Sequence, residues 1–147
     1  MKKYNTFINE GKKSDNDIIH SALLDYVNGV DYKWNYITPE ELNKEDLRDF
    51  YLLDIRHKED YEEGHIIGAK NIFWKDLLKE ENLENLPKNK KIILICYVGH
   101  TSSQMMVALN LLGYNNVLSL KYGMGKSPVK GVPVSGWLGF GYNITKK

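Results

Sequence analysis

The chain has 147 residues, of which 42% are hydrophobic and 27% charged, and its formal net charge is +1. This length fits one domain with a core of its own. The balanced charge offers no long-range attraction to nucleic acid, and the single cysteine excludes an internal disulfide. No apolar run approaches the roughly 20 residues that span a membrane. We therefore expect no nucleic-acid or membrane partner, and a cytoplasmic protein if Met1 is the native start.

The N-terminal part combines a polar arm with an amphipathic helix. Residues up to about Asp15 are polar and unpatterned, which is typical of a loose arm. From Asp15 to Asn28 apolar residues recur at helical spacing, and Gly29 ends the pattern. The stripe consists of Ile18, Ile19, Ala22, Leu23, Tyr26 and Val27. Because a bare stripe would be an apolar patch, we expect it to pack on its own domain, with pairing to a second chain as the alternative; the oligomeric state stays open.

From residue 34 onward, short strands alternate with helices. Strands are predicted at residues 34–37, 51–55, 71–74, 91–96 and 116–120. Helices are predicted at residues 38–47, 58–63, 74–83 and 102–112, the first beginning at a capping box from Thr38 to Glu41. This alternation predicts an α/β fold with a central parallel sheet flanked by helices on both faces.

After Lys121 the alternation is lost in a glycine-rich tail. Its glycines and prolines are Gly123, Gly125, Pro128, Gly131, Pro133, Gly136, Gly139 and Gly141. Trp137, Phe140 and Tyr142 supply apolar bulk, and we expect them to pack on the core rather than to form a binding surface.

Cys96 closes the apolar run of the predicted strand 91–96 and faces the start of the next helix. Backbone N–H groups at a helix N-terminus favour an anion, so a thiolate there is stabilised and acts as a nucleophile. A buried structural cysteine is the alternative. Gly99, three residues on, predicts a tight loop whose N–H groups turn inward as an anion cradle.

Three motifs lie in order along this pattern. They are Asp54-Ile-Arg56 followed by Glu59 and Tyr61, then Gly64-His-Ile-Ile-Gly-Ala69, then Cys96-Tyr-Val-Gly-His-Thr-Ser102. Together they resemble the rhodanese-like domain of the sulfurtransferase family, over about residues 36–125. The resemblance implies that family's central parallel sheet with flanking helices. We expect an N-terminal arm with an extra helix over residues 1–33 and a rhodanese-like domain with its tail over residues 34–147.

The resemblance also implies a chemistry. Cys96 would take a sulfane sulfur from a small donor or a persulfidated protein, become a persulfide, and pass the outer sulfur to a thiol or another nucleophile. The loop that would hold the persulfide comprises Tyr97, Val98, Gly99, His100, Thr101 and Ser102, and the Ser102 hydroxyl would face the sulfur. Supporting roles fall to Asp54 near the site, to an ion pair of Arg56 with Glu59, and to His65, which would tie down a turn by hydrogen bonds rather than bind a metal. Neither a cofactor nor a metal is expected.

The loop departs from the family pattern. Many active members carry arginine where this chain has Tyr97 and Thr101, and an ion pair at ~4 Å contributes up to about 4 kcal/mol at an effective dielectric near 20. We therefore expect thiosulfate, a dianion, to be a poor donor. His100 is the only titratable residue inside the loop, and it either supplies a proton or fills a solvent-facing position. The segment Tyr122-Gly-Met-Gly125 stands where the family has Gly-Gly. The resemblance therefore does not predict the shape of the wall beside Cys96.

Other cysteine chemistries fit less well. A phosphatase of the Cys-x5-Arg type would need arginine where Ser102 stands, and a cysteine protease would need a paired histidine that the sequence does not place. A nucleotide-binding loop ending at Ser127 would need glycine at Leu120, and one cysteine with scattered histidines builds no zinc site. The remaining alternative is a rhodanese-like domain that serves as a non-catalytic binding or regulatory module.

Overall fold

The computed structural model describes residues 13–125 and 135–146. In chain order the elements are α1 (Asp15–Gly29), β1 (Tyr36–Ile37), α2 (Pro39–Asn43), a 3-10 turn (Leu47–Asp49), β2 (Phe50–Asp54), α3 (Lys58–Glu63), β3 (His65–Ile66), β4 (Lys70–Asn71), α4 (Glu80–Leu83), β5 (Lys91–Ile95), α5 (His100–Leu111), β6 (Val117–Leu120) and β7 (Ile144–Thr145). Five strands form a parallel sheet in the order β1-β6-β5-β2-β4, and β3 pairs antiparallel with β7. The α/β fold with a central parallel sheet is therefore confirmed.

The central strand β5 has apolar side chains on both of its faces. Ile93 and Ile95 join a cluster with Leu42 of α2 and Tyr61 of α3. On the other face Ile92, Leu94 and Cys96 join Met106 and Leu109 of α5. Because side chains alternate along a strand, a continuous apolar run buries both faces of the sheet. The cysteine thus projects toward the α5 side.

Several predicted elements are shorter than the sequence pattern indicates. Strand β1 begins at Tyr36, because Trp34 and Asn35 adopt left-handed φ values of 58° and 57°. The predicted strand 71–74 is limited to β4, Lys70–Asn71, and the chain then turns as Asp76 N–H donates to Phe73 O at 2.8 Å. The predicted helix 74–83 is consequently reduced to α4.

Two helices differ from their predicted bounds. The capping box at Thr38 is confirmed, but α2 ends at Asn43 instead of Leu47, and the 3-10 turn begins only at Leu47. Helix α5 begins two residues before the predicted start, directly after Gly99. The helix Lys58–Glu63 has its predicted bounds. The paired strands β3 and β7 were not predicted, because two-residue strands leave no alternation to detect.

Helix α1 has nearly its predicted bounds, and Ser14 with Asp17 forms a capping box at its start. It contacts α5, yet none of its residues is buried. Ile18, Ile19 and Val27 are 54%, 55% and 65% exposed, and a cleft of about 400 Å³ separates part of α1 from α5. The expected docking of α1 on its own domain is present at α5, but Ile18, Ile19, Leu23 and Val27 of the stripe stay exposed.

The C-terminal segment packs against the end of β6. Trp137 is 1% exposed and belongs to the core, and its Nε1 donates to Asn143 O at 3.0 Å. Tyr142 packs against the same cluster, whereas Phe140 stacks on Tyr142 and stays exposed. The predicted packing of the tail is confirmed for Trp137 and Tyr142. Pro128, Gly131 and Pro133, like the arm before residue 13, lie outside the described residues.

Across residues 13–125 and 135–146, no helix combines the length and apolar character needed to cross a membrane.

Candidate active site

Cys96 lies directly after β5, where the sheet ends and the loop to α5 begins. The residue is 2% exposed. Its sulfur accepts the Gly99 N–H at 3.1 Å and lies 3.3 Å from the Ser102 hydroxyl oxygen. One N–H donor and one hydroxyl in a site withdrawn from water can stabilise negative charge on sulfur. The predicted strand-end position and the predicted contact with Ser102 are thus both present.

Gly99 is required at its position by conformation and by space. Its φ is +93°, and a Cβ there would lie 3.0 Å from the Tyr122 backbone nitrogen. An L-residue would therefore be strained and crowded. The left-handed turn ends the loop, so α5 starts at the next residue and Gly99 N–H points at the Cys96 sulfur.

The segment after β6 forms the wall beside the loop. Gly123 has φ +53°, and a Cβ on it would lie 2.2 Å from Cys96 O. Met124 N–H donates to Cys96 O at 2.8 Å, and Gly125 N–H donates to Tyr97 O at 2.9 Å. The close approach of this segment to the Cys96 loop therefore depends on one glycine, Gly123. The Tyr122 side chain, 44% exposed, is accommodated on the surface.

Tyr97 ties the loop to helix α3. Its hydroxyl donates to Asp60 Oδ2 at 2.5 Å, and His57 N–H approaches the phenolic oxygen at 3.4 Å. The Arg56 guanidinium carbon lies 5.8 Å from the ring centroid. Burial, together with the hydrogen bond to Asp60, raises the pKa of Tyr97 to about 12. The phenol is therefore neutral at physiological pH, and its hydrogen-bond partner on this side of the loop is a carboxylate.

Asp54 and Arg56 form a buried ion pair at the end of β2. Arg56 Nη2 donates to Asp54 Oδ2 at 2.6 Å and to Gly64 O at 2.8 Å, and Arg56 Nε donates to Asp54 Oδ1 at 3.0 Å. Glu59 lies exposed on α3. The predicted ion pair of Arg56 with Glu59 is therefore wrong: the partner is Asp54, two residues away and buried beside the guanidinium. This arginine is committed to a carboxylate and a carbonyl.

His65 has the structural role expected of it. Its Nδ1 lies 2.8 Å from Tyr61 O, and its ring stacks on the Tyr61 ring with centroids 3.7 Å apart. The Tyr61 hydroxyl donates to Ala69 O at 2.7 Å, which links α3 to the turn before β4. In the two described ranges of the chain, no three His, Cys, Asp or Glu side chains are grouped to hold a metal ion.

The remaining loop residues surround the cysteine with few charges. Val98 and Thr101 are half-buried, and His100 is exposed at the first position of α5. Lys121, directly before the wall, places its Nζ 5.2 Å from the Tyr122 ring centroid. Of the expected site residues, the structure thus brings Gly99 and Ser102 to the sulfur and leaves His100 facing solvent.

The hydroxyl groups of Tyr36, Ser103 and Ser119 lie behind the loop and were not predicted from the sequence. Ser119 Oγ of β6 lies 2.7 Å from Ser102 Oγ, and both serines are fully buried. Tyr36 OH of β1 donates to Ser103 Oγ at 3.1 Å. Ser119 itself could have indicated them. Val117 and Ser119 share one face of β6, and because Val117 is buried beneath α5, a polar residue two positions later is unexpected.

Comparison with known proteins agrees with this architecture. The family model of the rhodanese-like domain matches residues 38–126. A rhodanese-related protein from Thermoplasma volcanium has a solved structure that superposes with a TM-score of 0.63 at 22% identity, covering 78% of this chain and all of that one. At this identity the superposition shows a common fold.

Curated relatives include proteins named as sulfurtransferases. The chain is 32% identical over 96 residues to the adenylyltransferase and sulfurtransferase UBA4 of Meyerozyma guilliermondii, covering 61% of this chain and 23% of that protein. It is 33% identical over 73 residues to the thiosulfate sulfurtransferase GlpE of Coxiella burnetii, covering 50% of this chain and 66% of that protein. The chain therefore spans only about a quarter of the length of the first of these relatives. With the family model matching well over half of its length, this chain belongs to the rhodanese-like domain family.

Proposed function

We propose that this protein is a sulfurtransferase that carries a sulfane sulfur on Cys96. The observation on which the proposal depends is the position of the Cys96 sulfur, at the carboxyl end of β5 with Gly99 N–H at 3.1 Å and Ser102 Oγ at 3.3 Å. Such donors stabilise a thiolate, which is the form of cysteine that attacks sulfur. The relatives named as sulfurtransferases support the same reaction class.

The reaction has two displacement steps. In the first, the Cys96 thiolate attacks the outer sulfur of a donor persulfide R–S–S⁻, the donor S–S bond breaks, and R–S⁻ leaves as Cys96–S–S⁻ forms. In the second, an acceptor thiolate attacks the outer sulfur of Cys96–S–S⁻, and the Cys96 thiolate leaves. No net oxidation occurs, because sulfur passes between thiolates of equal oxidation state.

Mass spectrometry tests the carrier role directly. Incubation with a polysulfide should add one sulfur to the intact protein, and a thiol reductant should remove it. The Cys96→Ser variant should add none, since the chain has no second cysteine. Labile sulfur on Cys96→Ser, or none on the native protein, would contradict the proposal.

A monoanionic persulfide is the proposed donor class, with thiosulfate a poor substrate. Arg56 is paired with Asp54, and the loop position beside Cys96 holds Tyr97 with its carboxylate partner Asp60. A thiosulfate dianion therefore meets no uncompensated arginine among the described contacts of the loop. Tyr97→Arg should raise kcat/KM for thiosulfate at least about tenfold relative to a persulfide donor, since a cation at this position would attract the dianion.

Tyr97→Phe is the matched control for the donor experiment, because it removes the hydroxyl without adding charge. It should leave the ratio of thiosulfate to persulfide activity far below that of Tyr97→Arg. Native protein that already uses both donors with equal kcat/KM would contradict the assignment of donor class.

A non-catalytic module is the second candidate, and the 2% exposure of Cys96 favours it. A module without catalysis has no need of a reactive thiol. Alkylation of native protein by iodoacetamide below pH 7 discriminates between the two, because a stabilised thiolate reacts there and a buried neutral thiol does not.

A further inference from the structure

Behind the Cys96 loop, a chain of hydroxyl groups leads from strand β6 to the sulfur. Ser119 Oγ lies 2.7 Å from Ser102 Oγ, which lies 3.3 Å from Cys96 Sγ. Ser102 Oγ also lies 3.1 Å from Gly99 O, to which it can only donate. Ser102 and Ser119 are both 0% exposed, so water does not compete for these bonds.

We propose that Ser119 is a positioning residue that directs the single hydroxyl proton of Ser102 toward the Cys96 sulfur when that sulfur is an anion. The inference rests on the proposed sulfur transfer for its biological meaning and on the hydrogen-bond geometry for its argument.

The Ser102 hydroxyl has a single proton, and Gly99 O and an anionic Cys96 sulfur compete for it. A hydroxyl has one proton and can accept two hydrogen bonds. When Cys96 is a thiol, its own proton can go to Ser102 Oγ and the Ser102 proton to Gly99 O. When Cys96 is a thiolate it can only accept, so the Ser102 proton must rotate from Gly99 O to the sulfur.

The Gly99 carbonyl stays hydrogen-bonded when the Ser102 proton turns away from it. Gly99 O keeps two other donors, the Ser103 hydroxyl at 2.5 Å and the Ser103 N–H at 3.2 Å. Tyr36 OH donates to Ser103 Oγ at 3.1 Å, which fixes the Ser103 proton on the carbonyl. The rotation therefore leaves no buried acceptor without a partner, and it does not incur that penalty.

Ser119 acts on the sulfur through Ser102. In the described part of the chain, the Ser119 hydroxyl is hydrogen-bonded to Ser102 Oγ. Once Ser102 donates to sulfur, Ser119 must be the donor in the pair, and a hydroxyl that accepts a hydrogen bond becomes a stronger donor itself. Ser119 thus strengthens the bond from Ser102 to the thiolate without touching the sulfur.

This arrangement serves both half-reactions. The Cys96 sulfur is the nucleophile when it takes up sulfur and the leaving group when it gives sulfur away. A stabilised thiolate forms more readily at neutral pH and leaves faster, and both effects depend on the same Ser102 proton.

Comparison of Ser119→Thr with Ser119→Val tests the proposal. The two side chains have the same shape and differ in one hydroxyl, so any packing strain at this buried position is shared. The readout is the pH midpoint of iodoacetamide alkylation of Cys96 in sulfur-free protein. The midpoint of Ser119→Val should lie a few tenths of a pH unit above that of Ser119→Thr, in line with a hydrogen-bond cooperativity of about 10–30%.

A double-mutant cycle with Ser102→Ala separates this role from general packing. Ser102→Ala alone should raise the midpoint by about one pH unit, the size expected for loss of a hydrogen bond to a charged group. In the Ser102→Ala background the Thr and Val variants at position 119 should have equal midpoints. Val117→Ala, on the same face of β6, is the control that changes packing alone and should not move the midpoint.

Equal midpoints for Ser119→Thr and Ser119→Val, or a difference that survives in the Ser102→Ala background, would overturn the proposal. If Ser119→Val does not fold, Ser119→Ala against native protein provides the same comparison. The midpoint is independent of sulfur uptake, so a native protein that takes up no sulfur but shows the predicted shifts would contradict the proposed function and not this inference.

Discussion

Two Asp-x-Arg pairs have the same arginine–carboxylate contacts, but one pair is buried and the other is exposed. Comparing them shows the effect of burial. Arg56 Nη2 and Arg48 Nη2 each lie 2.6 Å from a carboxylate oxygen, of Asp54 and Asp46 respectively. The Arg56 side chain is 1% exposed and the Arg48 side chain 89% exposed. A buried charge that loses its partner is not rehydrated, whereas an exposed one is.

We therefore expect Arg56→Met to lower the free energy of unfolding by about 3–5 kcal/mol, because it leaves the Asp54 carboxylate buried and unpaired. Arg48→Met, the control, should leave stability unchanged within error. Urea denaturation of both variants measures the difference. An equal loss of unfolding free energy in the two variants would contradict the expectation that burial makes the Arg56 ion pair the more costly one to break.

The raised pKa of Tyr97 makes the stability of the folded protein depend on pH in the alkaline range. Its pKa is raised to about 12 in the folded protein, whereas an unfolded tyrosine titrates near pH ~10. Between these values the unfolded chain binds fewer protons, so the stabilising contribution of Tyr97, complete below pH ~10, is lost as pH rises toward 12.

Tyr97→Phe should remove this contribution, so its free energy of unfolding should fall less steeply above pH ~10 than that of the native protein. Urea denaturation at intervals from pH 9 upward measures the two curves. Other tyrosines titrate in both proteins, and their effect cancels in the difference. Parallel curves would mean that Tyr97 does not hold its proton through burial and Asp60.

Helix α1 lies on α5 but leaves most of its apolar stripe exposed. None of its residues is buried, and a cleft between α1 and α5 is lined by Ala22 and Tyr26. Ile18→Ser and Val27→Ser should each change the free energy of unfolding by no more than about 0.5 kcal/mol, as expected for exposed positions. Leu109→Ala on α5, fully buried, is the control and should cost about 2–5 kcal/mol.

Thermal unfolding at several protein concentrations measures these effects. A loss from Ile18→Ser comparable to that from Leu109→Ala, or a melting temperature that depends on concentration, would indicate that a second chain covers the exposed face of α1. That outcome would support the assembly alternative that the sequence leaves open.

For the molecule as a whole, the C-terminal segment is part of the core although the family match ends at residue 126. Trp137 N–H donates to Gly123 O at 3.0 Å, so the segment is attached to the wall beside Cys96. Gly125 and Gly136 cross so closely that a Cβ on Gly136 would lie 2.2 Å from the Gly125 nitrogen.

Trp137→Ala should therefore lower the free energy of unfolding by about 3–5 kcal/mol, the usual cost of truncating a buried aromatic residue. Phe140→Ala, at a position 41% exposed, is the matched control and should cost much less. Denaturant titration of the two variants provides the comparison. A stable Trp137→Ala protein would mean that the tail rests on the domain without completing its core.

Local signals in the sequence predicted the fold class and the position of Cys96 at the end of a core strand. The apolar run 91–95, the cysteine after it and Gly99 are adjacent in the chain, so their mutual geometry follows from strand and turn conformation. The capping box at Thr38 and the helix Lys58–Glu63 were recognised for the same reason. The small strands β3 and β7 were not, because two residues carry no periodicity.

The tertiary structure decided which side chains meet. Asp54 rather than Glu59 pairs with Arg56, because β2 ends with the Asp54 carboxylate buried beside the guanidinium while Glu59 lies exposed on α3. Ser119 reaches Ser102 from a strand seventeen residues away, and α1 leaves most of its stripe exposed. A sequence pattern specifies the conformation of each element and the face that it buries. The pairing of polar groups between elements depends on distances of a few ångströms that exist only once the sheet and its helices have assembled.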